Sequence, residues 1–129
     1  MNILYEMKNI RKQLASTIIP SLSNAQVSGK KKGSDGCIGI VGGSREYTGA
    51  PYFAGISAFR TGADLVHVFC HPEASAVIKS YSPELIVHPS LVTLNEESIE
   101  TSAQSIAKFF PRINVMVIGP GLGRYLKEK

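Results

Sequence analysis

Residues 37–70 read CIGIVGGSREYTGAPYFAGISAFRTGADLVHVFC, and this stretch decides the fold. It begins with a short apolar run bounded by glycine, Cys37–Val41, which is typical of a buried strand. A segment of helical spacing follows over residues 50–62, and a second apolar run follows at Leu65–Cys70. Strands that are continuously apolar, rather than alternating in polarity, predict a parallel sheet whose two faces are both covered.

The predicted helix over residues 50–62 has recognisable ends. Pro51 suits the first helical position, where its missing N–H is not needed. Gly62 suits the position just after the last turn, which favours a left-handed backbone. Its apolar positions recur at helical spacing and predict a buried stripe of four side chains, Tyr52, Phe53, Ile56 and Phe59.

The alternation of strand and helix continues to the end of the chain. It predicts a helix over residues 73–81 after Pro72, a strand over 85–88, a helix over 95–110 with Asn95 as its cap, and a strand over 115–118. The fold class is therefore α/β, with a mainly parallel sheet between helices.

The N-terminal region differs in composition from the rest. Apolar residues at helical spacing predict a helix in residues 1–20, which Pro20 ends. A polar stretch rich in glycine and lysine, residues 21–36, predicts a loop. The expected organisation is an N-terminal helix, 1–20, and one domain, 21–129.

Composition excludes several classes of protein. Fourteen basic and ten acidic residues give a net charge of +4, and part of the excess sits in one run, Lys30–Lys32. This small excess without interleaved aromatics does not favour nucleic-acid binding. No apolar run approaches the roughly 18 residues of a membrane span. Cys37 and Cys70 lie in apolar strands without metal-ligand spacing, so we expect buried free thiols and no metal site.

The first candidate site follows the first strand. Ligands of open parallel sheets bind beyond the carboxyl ends of the strands. There, Gly42, Gly43 and Ser44 allow close backbone approach, Tyr47 could stack on a ring, and the helix start at Gly49 and Ala50 directs free N–H groups at the same space. A tight turn without a ligand explains these residues equally well.

The second candidate site follows the fourth strand, where the sequence reads Gly119-Pro120-Gly121-Leu122-Gly123-Arg124. Three alternating glycines are costly in backbone entropy, and Arg124 could offer its planar fork to a phosphate. The spacing matches neither the dinucleotide fingerprint nor a Walker A loop. We favour ligand contact over a bare turn.

The other titratable residues are weaker candidates. His67 lies inside a strand and is interpreted as structural, and structure is also favoured for His71 and His88 at strand ends. Asp35 lies in the basic loop and Asp64 on the amino-terminal side of the sheet. Neither aspartate is well placed as a catalytic base.

Taken together, three segments resemble the ATP- or ADP-dependent NAD(P)H-hydrate dehydratases. They are KKGSDGCIGIVGGSREYTGAPYFAGISAFRTGADLVHVFC, SPELIVHPSL and VMVIGPGLGR. The resemblance implies a ribokinase-like three-layer α/β/α fold, of which residues 21–129 would be the N-terminal part. It also implies that ATP, or ADP in most bacterial members, phosphorylates the hydrated ring carbon of NADHX or NADPHX. Elimination of phosphate then restores NADH or NADPH.

The resemblance also implies a substrate site, cofactors and partners. The two glycine-rich loops would line the hydrate site, with Gly121 as the best single contact; its residues would be Gly42, Gly43, Ser44, Tyr47, Gly49, Ala50, Gly119, Gly121 and Gly123. ATP with Mg²⁺ would serve as cofactor. An NAD(P)H-hydrate epimerase would be the functional partner, and the full-length protein would be a homo-oligomer.

One departure from the family pattern concerns catalysis. The family's Gly-x-Gly-Asp motif, which supplies the catalytic base, does not occur in this sequence, so catalytic residues are expected beyond Lys129. We expect a truncated form that is inactive alone, in the cytoplasm, with a mitochondrial form left open. Two alternatives remain: another ribokinase-like small-molecule kinase, and a non-catalytic fragment that binds nucleotide or pairs with subunits.

Overall fold

The computed structural model describes Lys32, Gly33, residues 35–92 and residues 96–123, the side chain of Glu96 excepted. All of them belong to the unit Lys32–Lys129. The predicted helix in residues 1–20, the predicted cap at Asn95, and Arg124 lie outside the described residues.

Strand and helix alternate as the sequence predicts. The elements are β1 (Cys37–Val41), α1 (Gly49–Arg60), β2 (Leu65–Cys70), α2 (Pro72–Tyr81), β3 (Ile86–Pro89), α3 (Glu96–Ala107), a 3₁₀ turn (Phe110–Arg112) and β4 (Val115–Ile118). Three strands coincide with the prediction, and β3 lies one residue later. The prediction carried α3 too far, to residue 110. The helix ends at Ala107, and the chain continues into a 3₁₀ turn that contains Pro111, a residue with no N–H to extend an α-helix.

The four strands form one parallel sheet in the order β3-β2-β1-β4. The chain therefore adds strands in one direction from β1 to β3 and then returns to place β4 on the other side of β1. Asn114 secures this return, because its side-chain oxygen accepts a hydrogen bond from Cys37 N–H and its own N–H donates to the Cys37 carbonyl, both at 2.8 Å. The strand order reverses between β1 and β4, which is where open α/β sheets bind ligands.

One face of the sheet packs against α1 and α2. Its buried core contains residues from the four elements β1, β2, β3 and α2, together with Leu85 just before β3: Ile40, Val66, Val68, Cys70, Ala74, Ile78, Leu85 and Val87. α1 approaches closely through Gly55, where a methyl group would stand 2.7 Å from the Leu85 side chain. The predicted stripe is wrong at Phe53, which is 69% exposed. The helix turns its buried face to the sheet through Pro51 and Gly55, and Phe53 is directed away from it.

The end of α1 confirms the prediction for Gly62. This residue has φ +106°, and its N–H donates to the Phe59 carbonyl while Ala63 N–H donates to the Ala58 carbonyl. The pair of bonds is a Schellman motif, which places a glycine just past the helix end. Beyond it, the Asp64 carboxylate accepts a hydrogen bond of 2.8 Å from Gly33 N–H. Asp64 therefore ties the loop before β1 to the start of β2.

The opposite face packs against α3. Phe69, Leu91 and Ile106 are buried there, with Phe109 and Met116 against them. Helices thus cover both faces, which gives the predicted three-layer arrangement. None of the helices in the described part of the chain has the length and apolar character of a membrane span.

The outer edge of β4 is apolar and open. Val115 and Val117 lie in register with Ile38 and Ile40 of β1. They are on the face of the sheet where α1 packs against β1 and β2. They are 53% and 37% exposed, and Ile118 is 70% exposed. No strand among the described residues pairs with the far side of β4. Such an edge is a template for pairing with another chain.

We therefore predict that Val117→Lys reduces self-association of this chain, because a charged side chain on an edge strand opposes edge-to-edge pairing. Light scattering after size exclusion should show a larger monomer fraction than in the parent chain. The matched control is Val77→Lys, which places the same charge at an exposed position of α2. Equal association of V117K and the parent chain would show that β4 is not the adhesive edge.

Two histidines are joined on the α3 face. Nδ1 of His67 lies 2.9 Å from Nε2 of His88, and both rings stack near Phe69 and Phe109. Burial lowers the pKa of both histidines. The charge of Arg112 lowers the pKa of His67 further, and His67 and Lys79 do the same for His88. Burial and the neighbouring charges therefore favour the neutral form of both rings.

The sign of this shift predicts acid sensitivity. An unfolded histidine has a pKa of about 6.5 and the folded ones lie lower, so the unfolded state binds protons first as the pH falls. The contribution of the histidine pair to the free energy of unfolding is fully present above about pH 6.5 and is lost as the pH falls below it. Urea unfolding at about pH 7.5 and about pH 5 measures how far the free energy of unfolding falls with acid. This fall should be smaller for His88→Phe than for the parent chain. His71→Asn removes a histidine outside the pair and should keep the parent's loss; an equal reduction in both variants would contradict the assignment.

Candidate functional site

The turn after β1 is anchored to both neighbouring strands. Gly42 N–H donates to the Phe69 carbonyl at 2.9 Å, and the Gly43 carbonyl accepts from His71 N–H at 2.9 Å. Gly43 has φ +94°, a conformation that side chains other than glycine rarely adopt. The hydrogen bonding between β1 and β2 therefore continues for two residues beyond the end of β1, and the chain then turns towards α1.

Three of the five residues in the turn after β4, residues 119–123, are glycines with positive φ. Gly119, Gly121 and Gly123 have φ values of +123°, +65° and +80°. Gly119 N–H donates to the Val41 carbonyl at 3.0 Å, and Leu122 N–H donates to the Gly119 carbonyl at 3.2 Å. The alternating glycines are thus required by the path of the backbone.

The structure brings the two turns into direct contact. Gly43 N–H donates to the Pro120 carbonyl at 3.0 Å, and a methyl group at Gly42 would overlap that same carbonyl oxygen. A methyl group at Gly121 would stand 2.7 Å from the Tyr47 carbonyl oxygen and 3.3 Å from the Ala50 Cβ. Close approach of the two backbones therefore explains Gly42 and Gly121 without a ligand. What the turns bind stays a prediction.

Ser44 is the one buried side-chain polar atom without a hydrogen-bond partner among the described residues. It is 1% exposed, and its carbonyl accepts from Tyr47 N–H at 3.2 Å. Buried hydroxyls are normally paired, so this one is available to a bound molecule or water.

The segment leading into α1 holds the remaining predicted residues. Tyr47 is 53% exposed beside Gly121. Gly49 and Ala50 form the first two positions of α1, and Pro51 is therefore the third position rather than the first. The Thr48 hydroxyl lies 2.8 Å from the Tyr81 hydroxyl at the end of α2, a contact that the sequence did not reveal.

Arg45 and Glu73 connect the same segment to α2 by an ion pair of 2.9 Å. Their side chains are more than half exposed, so the pair adds little to stability. Together with the Thr48–Tyr81 contact, the ion pair connects this segment to both the start and the end of α2.

The titratable groups near the turns have structural tasks. The His71 side chain accepts from Glu73 N–H at 3.3 Å and caps α2, and His88 is bonded to His67. Burial raises the pKa of the Cys70 thiol to about 11, with a small opposing effect of Lys79. The thiol therefore stays protonated near neutral pH and is a poor nucleophile. Both cysteines are buried and free, as predicted.

No group of three or more His, Cys, Asp or Glu side chains in the described part of the chain could hold a metal ion. Two cavities lie elsewhere. One of about 440 Å³ lies between Ser90 and α3, and one of about 370 Å³ lies near Leu65 and Ile86 at the amino ends of the strands. Neither is lined by a residue of the glycine turns, and the strand-order reversal remains the better-supported site because the fold places ligands there.

Sequence comparison identifies the family. Residues 38–129 match the family described as NAD(P)H-hydrate dehydratase. The ATP-dependent (S)-NAD(P)H-hydrate dehydratase of Mus musculus is 56% identical over 119 residues, which cover 92% of this chain and 32% of the mouse protein. The Homo sapiens protein of the same name is 56% identical over 112 residues, covering 87% of this chain and 29% of the human protein.

Solved structures support the same fold. A ribokinase-like superfamily protein from Enterococcus faecalis superposes with a TM-score of 0.59 at 23% identity, covering 80% of this chain and 32% of that one. A hypothetical protein from Streptococcus mutans superposes with a TM-score of 0.57 at 24% identity, covering 74% and 31%. At this identity the likeness concerns the fold alone.

The chain spans about a third of the length of the curated relatives it matches. The match nevertheless covers most of this chain, including both glycine turns, β1 to β4 and the helices between them. The chain belongs to the NAD(P)H-hydrate dehydratase family, a family of lyases with a ribokinase-like fold.

Proposed function

We propose that this chain forms the substrate side of a site for the ATP-dependent dehydration of (S)-NADHX and (S)-NADPHX to NADH and NADPH. The observation that carries the proposal is the buried, unpaired Ser44 hydroxyl beside the two glycine turns, which meet at the strand-order reversal. Its position is where parallel α/β sheets accept nucleotides. The names of the relatives supply the substrate and the phosphate donor.

The proposed contacts fall into three kinds. The glycines of the two turns, Gly42, Gly43, Gly119, Gly121 and Gly123, bring the two backbones together beside the nucleotide. The buried Ser44 hydroxyl and the N–H groups of Gly49 and Ala50 offer hydrogen bonds. The exposed ring of Tyr47 offers a stacking surface for a base or a nicotinamide ring.

The proposed reaction has two steps. The hydroxyl on the hydrated ring carbon loses its proton to the catalytic base, its oxygen takes the γ-phosphoryl group of ATP, and ADP leaves. The carbon–oxygen bond then breaks, phosphate departs, and a proton lost from the adjacent ring carbon leaves the double bond of NADH or NADPH. This chain's residues hold and orient the ring, which makes the transfer effectively intramolecular.

We place the catalytic base outside this sequence, because it contains no Gly-x-Gly-Asp motif. ATP and Mg²⁺ are assigned no ligands here, since the described residues offer no cluster able to hold a metal. An epimerase that interconverts the hydrate epimers and homo-oligomerisation of the full-length protein belong to the same proposal.

The open edge of β4 favours a second candidate, a non-catalytic fragment that pairs with other subunits. A single assay series separates the candidates. The purified chain is titrated with (S)-NADPH hydrate in a calorimeter, and NADPH absorbance is followed with ATP and Mg²⁺. We expect the chain to bind the hydrate without turnover if it forms the substrate site. Association with the full-length protein without hydrate binding would instead favour the subunit-pairing fragment. A phosphorylated product that accumulates would indicate another small-molecule kinase, and absence of any binding would contradict the proposed substrate site.

Gly42→Ala tests whether contact between the turns builds the site. The added methyl group meets the Pro120 backbone carbonyl, so the turns must separate. We expect a stability loss of about 1–3 kcal/mol, as for overpacking elsewhere, and weaker binding of NADPH hydrate. Thermal unfolding and calorimetric titration measure the two effects.

Gly62→Ala is the matched control. A methyl group there meets nothing within 4 Å, but φ +106° strains any side chain, so stability should fall while binding is kept. Equal loss of affinity in both variants would show that lowered stability, rather than the turn contact, controls binding.

A further inference from the structure

The cavity of about 370 Å³ lies at the amino ends of the strands. Its walls include the first residue of each of three neighbouring strands, Cys37 of β1, Leu65 of β2 and Ile86 of β3. His67 follows Leu65 by two residues and lies in register with Ile86, so these side chains share one face of the sheet. It is the face on which Phe109 packs against His67. The cavity is therefore at the opposite end of the strands from the glycine turns.

Two cations line the same cavity. They are Lys32, in the turn before β1, and Arg112, in the 3₁₀ turn before β4. Both residues are exposed, and neither forms an ion pair with a carboxylate in the described part of the chain. The charge of Arg112 reaches His67, where it adds to burial in lowering the pKa of the imidazole. Unpaired positive charge thus borders walls that are otherwise largely apolar.

The carboxylate beside the cavity is engaged by the backbone. Asp64 accepts hydrogen bonds from Gly33 N–H at 2.8 Å and from Asp35 N–H at 3.5 Å. No acidic residue of the described part of the chain lines the cavity itself. His67 is engaged through one nitrogen, since its Nδ1 lies 2.9 Å from Nε2 of His88, and its own Nε2 has no hydrogen-bond partner among the described residues. The cavity therefore offers positive charge and a ring nitrogen without a competing anion.

We propose that this cavity binds a small organic phosphate monoester, at a site separate from the glycine turns. Arg112 and Lys32 hold the phosphate, because two cations match the nearly two negative charges that a monoester carries near neutral pH. The planar fork of Arg112 pairs with two phosphate oxygens. The side chains of Cys37, Leu65 and Ile86 pack against the organic group, and a volume of about 370 Å³ is within the range of small-molecule sites.

Calorimetric titration of the full chain with three probes separates charge from apolar contact. Phenyl phosphate should bind more tightly than inorganic phosphate, which lacks the ring, and more tightly than phenol, which lacks the charge. Added salt should weaken the binding of phenyl phosphate, because both cations are exposed and salt screens them. Phenol that binds as tightly as phenyl phosphate overturns the proposal, since the cations would then have no part in recognition. Equal affinity for inorganic phosphate and phenyl phosphate overturns it as well, since the apolar walls would have none.

Arg112→Gln should weaken the binding of phenyl phosphate about tenfold, the low end for a lost hydrogen bond to a charged group. Lys32→Gln should weaken it less, since an ammonium offers no fork. Circular dichroism checks that each variant is folded, and K32Q, which changes an exposed side chain in a turn, carries the test if R112Q unfolds. The matched control is Arg60→Gln, which removes the same charge from the last turn of α1 and should keep the parent's affinity. Equal losses in R60Q and in the cavity variants would show that net charge alone attracts the anion, which overturns the proposal.

His67 reports on the cavity in the parent chain. A bound phosphate offsets the charge of Arg112, so the pKa of His67 should rise when phenyl phosphate is added. The other groups acting on this pair are His88, which is bonded to His67, and Lys79, which acts on His88. An NMR pH titration of the imidazole signals measures the change, with His71 at the start of α2 as the internal control. An unchanged pKa of His67, or an equal rise at His71, overturns the proposal whether or not the glycine turns bind NADPH hydrate.

Discussion

The approach of the two glycine turns depends on one backbone contact, the hydrogen bond from Gly43 N–H to the Pro120 carbonyl. It joins the ends of β1 and β4, which are distant in sequence but adjacent in the sheet. β4 has no other strand neighbour among the described residues, so its pairing with β1 and the contact between their turns hold it in the sheet. The same contact brings the segment before α1 against Gly121. Fold and candidate site therefore share one constraint.

The contact between the turns gives the glycines a structural explanation. From sequence, their number at two strand ends suggests that a ligand needs close access. In the structure, Gly42 and Gly121 are already required because the two backbones touch, and Gly43, Gly119 and Gly123 are required by positive φ. The glycines alone therefore say little about a ligand. The stronger indications are the unpaired Ser44 hydroxyl and the family membership.

The predictable features were local ones. Continuous apolar runs predicted three strands to the residue, and Gly62 was predicted because a helix end demands a left-handed residue. The prediction that Phe53 is buried was wrong, because helical spacing identifies apolar positions but not which of them face the sheet. The helix packs against the sheet through Gly55, which has no side chain, and Phe53 is exposed. The Thr48–Tyr81 and His67–His88 bonds join distant segments, so neither propensity nor periodicity could reveal them.

The titratable side chains near the glycine turns are already engaged in the structure of this chain. His67 and His88 are paired within the sheet, His71 caps α2, and burial raises the pKa of the Cys70 thiol to about 11. Each is committed to structure, and each would lose that role if it moved a proton. What the segment offers near the turns is shape and fixed N–H donors, which need no reorganisation when a ligand arrives. A rigid strand end suits this task because a reacting ring must be held to within a fraction of an ångström. In the proposed function, proton transfer falls to other residues, and separating it from positioning lets this side of the site remain closely packed.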